Sequence, residues 1–150
     1  MPNSSLRDRV LATPGSGRAA TAAAMARVVA SAVFVAFGIG KFTSHGTEVA
    51  SFRDYGLPRP DAFVYAIGVL EIGGGLLLLA GLLTRLAALA LAGDMVGAIA
   101  LSGIGQGEAI SLTLAPALLL AMLFLIRTGG GRWSADRALL ERGPRYLREP

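Results

Sequence analysis

The chain has 150 residues, 53% of them hydrophobic, and a formal net charge of +4. Its mean hydropathy of +0.59 is too high for an ordinary soluble domain and indicates a membrane protein. It has no cysteine and a single histidine, His45. This composition excludes disulfides, thiol chemistry, iron–sulfur clusters, a bis-histidine haem and a three-histidine metal site within one chain, so we predict no haem, no cluster and no metal.

The first segment, residues 1–22, is rich in Ser, Pro, Gly, Ala and Arg, a composition that predicts a disordered extension. Met25 is an alternative start. Four apolar runs follow, each close to the ~20 residues that cross a bilayer. Because lipid offers the backbone no hydrogen-bond partners, all four are predicted to be helices. The runs are Met25–Phe42, Ala62–Leu83, Leu86–Ile104 and Ile110–Ile126.

These runs predict an all-α fold, a membrane-spanning four-helix bundle within residues 23–128, with a tail at 129–150. Eleven Lys and Arg residues fall in the N-terminal segment, in the turn after the second helix and in the tail, whereas the other side holds Lys41, Arg53 and Arg59. Since positive residues favour the cytoplasm, both termini are predicted to be cytoplasmic. The basic charge lies mostly outside the apolar runs, so it relates to membrane orientation and not to a nucleic-acid partner.

The tail is predicted to contain a short amphipathic helix at the membrane surface. Ser134 suits the N-cap position, and Asp136 in the first turn suits the helix dipole. Trp133 is predicted to lie at headgroup level as an interfacial anchor. Arg85 lies in the predicted cytoplasmic turn between the second and third helices.

The charged residues inside the apolar runs are the candidate site. Glu71 is the only charged residue from Ala62 to Leu83, and Asp94 lies in the third run. Counted from the intervening turn, their depths differ by about 5 Å, near the bilayer midplane. Lys41 has a stem long enough to reach Glu71, and Arg27 lies near the same face of the first helix. Two interpretations remain open: a buried pair that fixes the bundle, or a polar cavity for a proton-coupled or redox ligand.

Aromatic residues are concentrated in the outer half of the first two helices and in the loop between them. An interfacial aromatic belt and a pocket for a flat ring such as a quinone both account for this pattern. The candidate ring-binding residues are Phe34, Phe37, Phe42 and Tyr65, and the wider belt adds Phe52, Tyr55 and Phe63. His45, in the same loop, is interpreted as a solvated loop residue.

Several short motifs occur in the order typical of one membrane protein family. They are Arg27, Gly38-Ile39-Gly40-Lys41-Phe42, the loop from Phe52 to Pro58, Glu71 with Gly74 to Leu78, Gly81-Leu82-Leu83-Thr84-Arg85, Met95, and the segment from Gly129 to Asp136. Together they resemble the DoxX family of small four-helix membrane proteins over about residues 25–140. Many members carry a histidine where this chain has Phe37, so no role of that histidine is transferred.

The resemblance implies a four-helix bundle in a bacterial plasma membrane and an association with redox chemistry. Our first hypothesis is an accessory or quinone-associated subunit of a membrane redox or oxidative-stress complex, not catalytic alone and, if part of an enzyme, a membrane oxidoreductase subunit. The alternatives are a small proton-coupled carrier that uses Glu71 and Asp94, and a structural scaffold. The expected partners are the lipid bilayer and either a redox protein or further copies of the chain.

The predicted orientation is testable with reporters. A reporter active only in the cytoplasm should be active when fused after Pro150 and silent when inserted at Gly105, because the positive residues concentrate on the side of the termini. The measurement is reporter activity in intact cells. The reverse pattern would contradict the orientation.

Overall fold

The computed structural model describes residues 17–141, which fold into helices with no strand in that range. Four helical segments are long and apolar enough to cross a membrane, so the predicted all-α, four-helix membrane bundle is confirmed. The helices are α1 Arg18–Thr43, α2 His45–Asp54, α3 Pro60–Ala80, α4 Thr84–Gly97, α5 Ala109–Thr128 and α6 Ala135–Glu141, and α4 continues as a π-helical segment, Ala98–Ile104.

The first helix starts earlier than the sequence predicts. α1 begins at Arg18, so residues 18–22 of the predicted disordered extension are helical, while residues 1–16 lie outside the described residues. The alanines that follow Arg18 favour helix, and Ala20 and Ala23 are fully buried. The helix extends here because small side chains allow the tail to pack against it: the backbone N–H of Arg132 donates to the Ala20 carbonyl at 3.1 Å.

A helix that the sequence analysis did not predict, α2, follows α1 directly. It packs against α3 at the end of the bundle that also contains Lys41, Tyr55 and Glu108, which we call the cavity end. His45 is its first residue and therefore belongs to a helix and not to an irregular loop. The opposite end, at Arg27, Gly81 and the segment 129–141, is the tail end.

The four spanning helices form a ring in which α1 contacts α3 and α5, and α4 contacts α3 and α5. The α1–α3 contact is the most extensive and depends on glycines. A Cβ at Gly38 would lie 2.7 Å from the Ile72 side chain, and one at Gly75 would lie 3.2 Å from the Ser31 carbonyl oxygen. Small residues let two membrane helices approach this closely.

The tail end of the bundle is closed by a buried polar network. Asp136 has no exposed surface, and its carboxylate accepts hydrogen bonds from the backbone N–H groups of Leu83 at 2.7 Å and Thr84 at 2.9 Å. The Arg27 guanidinium donates to the carbonyls of Leu78 at 2.7 Å and Leu79 at 2.6 Å. The network therefore satisfies free backbone groups at the end of α3 and at the start of α4.

This network extends one sequence-based assignment and corrects another. Asp136 lies in the first turn of α6, as predicted, and its carboxylate also caps α4, because the tail folds back onto the α3–α4 turn. Arg27 was grouped with the buried acids, but it lies at the tail end. Ser134 does act as the predicted N-cap, accepting a bond from the Arg137 N–H at 3.3 Å. Trp133 is 78% exposed and lies against the Arg132 guanidinium.

The turn between α3 and α4 needs its glycine. Gly81 has φ 67°, a left-handed conformation that favours glycine, and a Cβ there would lie 2.7 Å from Ser134 Cα. Leu83 also adopts positive φ, at 49°. The carboxylate of Asp136 holds this turn by binding the two N–H groups that follow it.

Removing the Asp136 carboxylate should destabilise the bundle. Asp136→Ala leaves two backbone N–H groups at the start of α4 without their acceptor, and each such buried group costs on the order of 1–3 kcal/mol. We expect a loss of at least about 2 kcal/mol in the free energy of unfolding, measured in detergent by titration with SDS. Asp54→Ala, at an exposed position of the cavity end, is the control. Equal stability of the two variants would contradict the capping role.

Candidate functional site

A cavity of about 530 Å³ occupies the cavity end of the bundle, between the spanning helices and α2. We call it the central cavity. Most of its wall is apolar, and charged and hydroxyl groups are added by all five helices α1 to α5 and by the residues next to α2 and α5. Its polar lining residues are Lys41, Glu48, Ser51, Tyr55, Glu71, Asp94, Ser102, Glu108 and Ser111.

Lys41 and Glu71 form a buried ion pair on the wall of this cavity. Lys41 Nζ lies 3.2 Å from Glu71 Oε2, and the two side chains are only 11% and 4% exposed. Lys41 Nζ also lies 3.8 Å from Glu48 Oε2, on α2. The contact with Glu71 agrees with the reach of the Lys41 stem predicted from the sequence. An ammonium carries three N–H donors, so Lys41 can face these carboxylates and still donate to a ligand.

Asp94 faces the same cavity from α4. Its charge interacts with those of Glu71 and Lys41, which makes it part of one electrostatic cluster with them. One of its carboxylate oxygens, Oδ2, is buried and has no hydrogen-bond partner among the described residues. The neighbours of Asp94 are not evident from the sequence, because they depend on how α3 and α4 pack. A buried oxygen without a partner is a position where a ligand N–H or O–H would be stabilised.

A second polar group, made of Tyr55, Ser102, Glu108 and Ser111, lines the cavity where the α4–α5 connection meets the end of α2. The Tyr55 hydroxyl donates to Ser102 Oγ at 3.1 Å, and Ser111 Oγ contacts Ser102 Oγ at 3.0 Å. Ser102 and Ser111 both donate to the Glu108 carboxylate, and these bonds lower the pKa of Glu108. Glu108 is therefore charged at neutral pH and remains close enough to Lys41 to interact with it.

Sequence reasoning missed this second group for a geometric reason. Ser102 lies in the π-helical segment, whose wider turns shift its side chains relative to those of a continuing α-helix. Ser111 lies in the first turn of α5, and Glu108 is the residue before that helix, so the three residues meet only when the α4–α5 connection folds. In the sequence, the hydroxyl residues Ser102 and Ser111 within otherwise apolar runs were the feature that could have indicated this polar group.

The candidate aromatic residues divide into two sets. Phe34 and Phe37 line the central cavity, as do Phe52, Tyr55 and Phe63 from the wider belt. Phe42 and Tyr65 do not line the cavity; their rings lie 5.8 Å apart on the outside of the bundle. The predicted ring-binding set is therefore only half inside the cavity, because Phe42 is directed across Gly68 of α3.

His45 connects α2 to the start of α3 outside the cavity. Its Nε2 lies 2.8 Å from an Asp61 carboxylate oxygen, and its ring lies 4.4 Å from that of Tyr65. The hydrogen bond to Asp61 raises the pKa of His45.

The remaining predicted site residues lie at the tail end, away from the Lys41–Glu71–Asp94 cluster. They are Arg27, Arg85, Trp133, Ser134 and Asp136. Arg85 there donates to the Arg127 carbonyl at 3.1 Å.

Within residues 17–141, the acidic side chains and His45 form no group of three that could hold a metal ion. The cavity instead combines one ammonium, several carboxylates, hydroxyl groups and aromatic faces. This arrangement can hydrogen-bond a carbonyl or hydroxyl group, exchange protons with it and pack against a flat apolar ring.

The ion pair predicts a measurable coupling. Glu71→Gln removes the closer carboxylate partner of Lys41 and leaves Glu48 at 3.8 Å, and Lys41→Met leaves Glu71 buried beside Asp94 without the ammonium. Breaking a well-buried pair costs on the order of 3–5 kcal/mol, and outward movement of the Lys41 stem reduces that cost. The double variant should recover part of the stability that the single variants lose, as measured by SDS unfolding. Strictly additive losses would show that the two residues are not coupled.

Comparison with known proteins agrees with the membrane fold. The DoxX family model matches residues 22–104 of the chain. An uncharacterized membrane protein of Mycobacterium tuberculosis strain H37Rv, Rv3486, is 37% identical over 132 residues, a match that covers 77% of this chain and 80% of that protein. No solved structure matches. With four spanning helices and this match over more than half its length, the chain belongs to the DoxX family of integral membrane proteins.

Proposed function

We propose that this protein binds a quinone in its central cavity and acts as an accessory subunit of a membrane redox complex. The observation that carries the proposal is the Lys41–Glu71–Asp94 cluster, which faces an aromatic-lined cavity inside a membrane bundle. The volume of about 530 Å³ falls within the range of sites for small organic ligands. A quinone has a flat ring and two carbonyl oxygens, so it needs both an apolar wall and hydrogen-bond donors.

The polar residues supply complementary functions. The Lys41 ammonium can donate a hydrogen bond to a quinone carbonyl oxygen, and charged donors form stronger bonds than neutral ones. The carboxyl groups of Glu71 and Asp94 can accept a proton from a quinol hydroxyl or return one to a quinone oxygen. Phe34 and Phe37 provide apolar faces for the ring. The chain has no thiol that could take up or supply the electrons of the quinone, so these electrons would be exchanged with a partner oxidoreductase subunit.

The proposal includes a location: the bacterial plasma membrane, with both termini cytoplasmic. The distribution of positive residues supports this orientation. The close approach of α1 residue Ala20 and the tail residue Arg132 also supports it, because both ends of the described chain then lie at one end of the bundle. In this orientation the cavity end faces away from the cytoplasm.

A proton-coupled carrier is the second candidate. It is favoured by the excess of carboxylates in the cavity, where Glu48, Glu71, Asp94 and Glu108 surround the single ammonium of Lys41. A carrier must open its site to both sides in turn. The buried bonds of Arg27 and Asp136 close the tail end, and opening there would break them. We therefore rank the carrier below the quinone-binding subunit, and a scaffold without a ligand accounts for neither the cavity nor its cluster.

Two phenylalanines of α1 provide a matched test. Phe37 lines the cavity and is 42% exposed, whereas Phe42 does not line it and is 40% exposed. Phe37→Ala should weaken binding of an added quinone by about tenfold, which corresponds to about 1.4 kcal/mol, and Phe42→Ala should leave it unchanged. The measurement is quinone titration of purified protein in mild detergent.

The same preparations provide further readouts. Quinone should be extractable from the wild-type protein after gentle purification, and Lys41→Met should lower the amount retained because the donor to the carbonyl is lost. Equal affinities of the Phe37 and Phe42 variants, or no quinone binding by the wild type, would contradict the proposal. If compounds that enter the cavity instead dissipate a pH gradient in liposomes containing the protein, the carrier is favoured.

A further inference from the structure

The helices α3 and α4 separate along their length. They touch where Gly74 faces the Leu91 side chain, since a Cβ at Gly74 would lie 3.0 Å from Leu91 Cγ. Further toward the cavity end, a Cβ at Gly93 or at Gly97 would meet no heavy atom within 4 Å. Gly93 and Gly97 also line the central cavity. The cavity wall therefore has a gap on this side, at the level of Asp94.

The edges of this gap belong both to the cavity and to the outer surface of the bundle. Phe63 of α3 lines the cavity and is exposed, and Ala90 and Gly93 of α4 do the same. Leu70 of α3 also lines the cavity and is half-buried. These residues lie inside segments that are long and apolar enough to span the membrane. The surface around the gap therefore faces hydrocarbon and not water in a bilayer. Apart from Asp94, the residues at its edge are small or apolar.

Helix stability does not account for the two glycines. Glycine in a helix is less favourable than alanine by about 1 kcal/mol. In membrane helices that cost is usually offset where glycine allows a second helix to approach closely. Gly38 and Gly75 have this role at the α1–α3 contact, but the space beside Gly93 and Gly97 is not filled by any described residue. The opening that they leave is thus a feature of the cavity and not of helix packing.

We propose that the gap beside Gly93 and Gly97 is a lateral entrance through which a bilayer-dissolved amphiphile enters the central cavity. The compact polar head lies at the Lys41–Glu71–Asp94 cluster, and the long apolar chain extends back through the gap into the membrane. Identifying the head as a quinone rests on the function proposed above, but the entrance itself does not. A ligand of this kind reaches the buried charges without leaving the hydrocarbon of the bilayer. Its apolar chain packs against the small and apolar residues at the edge of the gap.

The entrance can be tested with a photoreactive amphiphile. The probe is a long-chain fatty alcohol with a diazirine in its chain, added to proteoliposomes; its hydroxyl is a compact neutral head. After irradiation, mass spectrometry locates the adducts. Phe34 and Leu118 are the reporter positions, because both are buried yet line the cavity. A chain that remains outside the bundle does not contact them.

Substitutions at the gap test whether the probe enters through it. Gly97→Leu should reduce adducts at the reporter positions by about tenfold, because a leucine side chain fills the open space. Gly93→Leu is the second variant, used if the first lowers the melting temperature. Gly73→Leu is the matched control: Gly73 is an exposed glycine of α3 with equally open space, but it does not line the cavity. The control should label like the wild type.

Each result bears on the entrance or on the quinone. Adducts at Phe34 and Leu118 that Gly97→Leu removes and Gly73→Leu preserves support the entrance. The entrance is overturned if the wild type shows no adducts at these positions, which is the result expected if a second copy of the chain covers the gap. It is also overturned if Gly97→Leu and Gly93→Leu leave the adducts unchanged. Competition by added long-chain quinone then supports the quinone assignment. Gap-dependent adducts without that competition leave the entrance standing and overturn the quinone.

Discussion

The buried charge of Glu71 is the constraint on which the rest of the structure depends. An ionised carboxylate is costly in hydrocarbon unless a cation and hydrogen bonds accompany it. Lys41 supplies the cation from α1, and its 3.2 Å contact requires α1 and α3 to lie close together. Glycines on that helix pair make the approach possible, so the most extensive helix contact of the bundle lies beside its central ion pair.

The charged side chains at the two ends of the bundle have different partners. At the tail end, Arg27 and Asp136 form hydrogen bonds with backbone groups of the α3–α4 turn, and these bonds hold that end closed. At the cavity end, the charges of Lys41, Glu71 and Asp94 line an open volume. Charges that bind backbone stabilise the fold, whereas charges that face a cavity remain available to a ligand. This difference supports a site that opens at one end and not an alternating pathway.

The DoxX family assignment and the cavity support the proposed function at different levels. Family membership establishes an integral membrane protein with four spanning helices, and the matched relative is itself uncharacterized. The chemistry of the proposed site comes from this chain's own residues. An ammonium beside carboxyl groups and aromatic rings suits a flat ligand with carbonyl or hydroxyl groups, and the gap at Gly93 and Gly97 gives such a ligand a route from the bilayer.

The sequence by itself determined the membrane class, the four spans to within a few residues apart from the earlier start of α1, the family and the proximity of Lys41 to Glu71. These follow from hydropathy, helical periodicity and side-chain reach, which short stretches of sequence contain. Tertiary structure decided the role of Asp136, the separation of Arg27 from the acids and the assembly of Ser102 with Glu108. Each of these depends on contacts between segments distant in sequence, or on a π-helical turn that shifts a side chain to another face. Neither can be predicted from local sequence patterns.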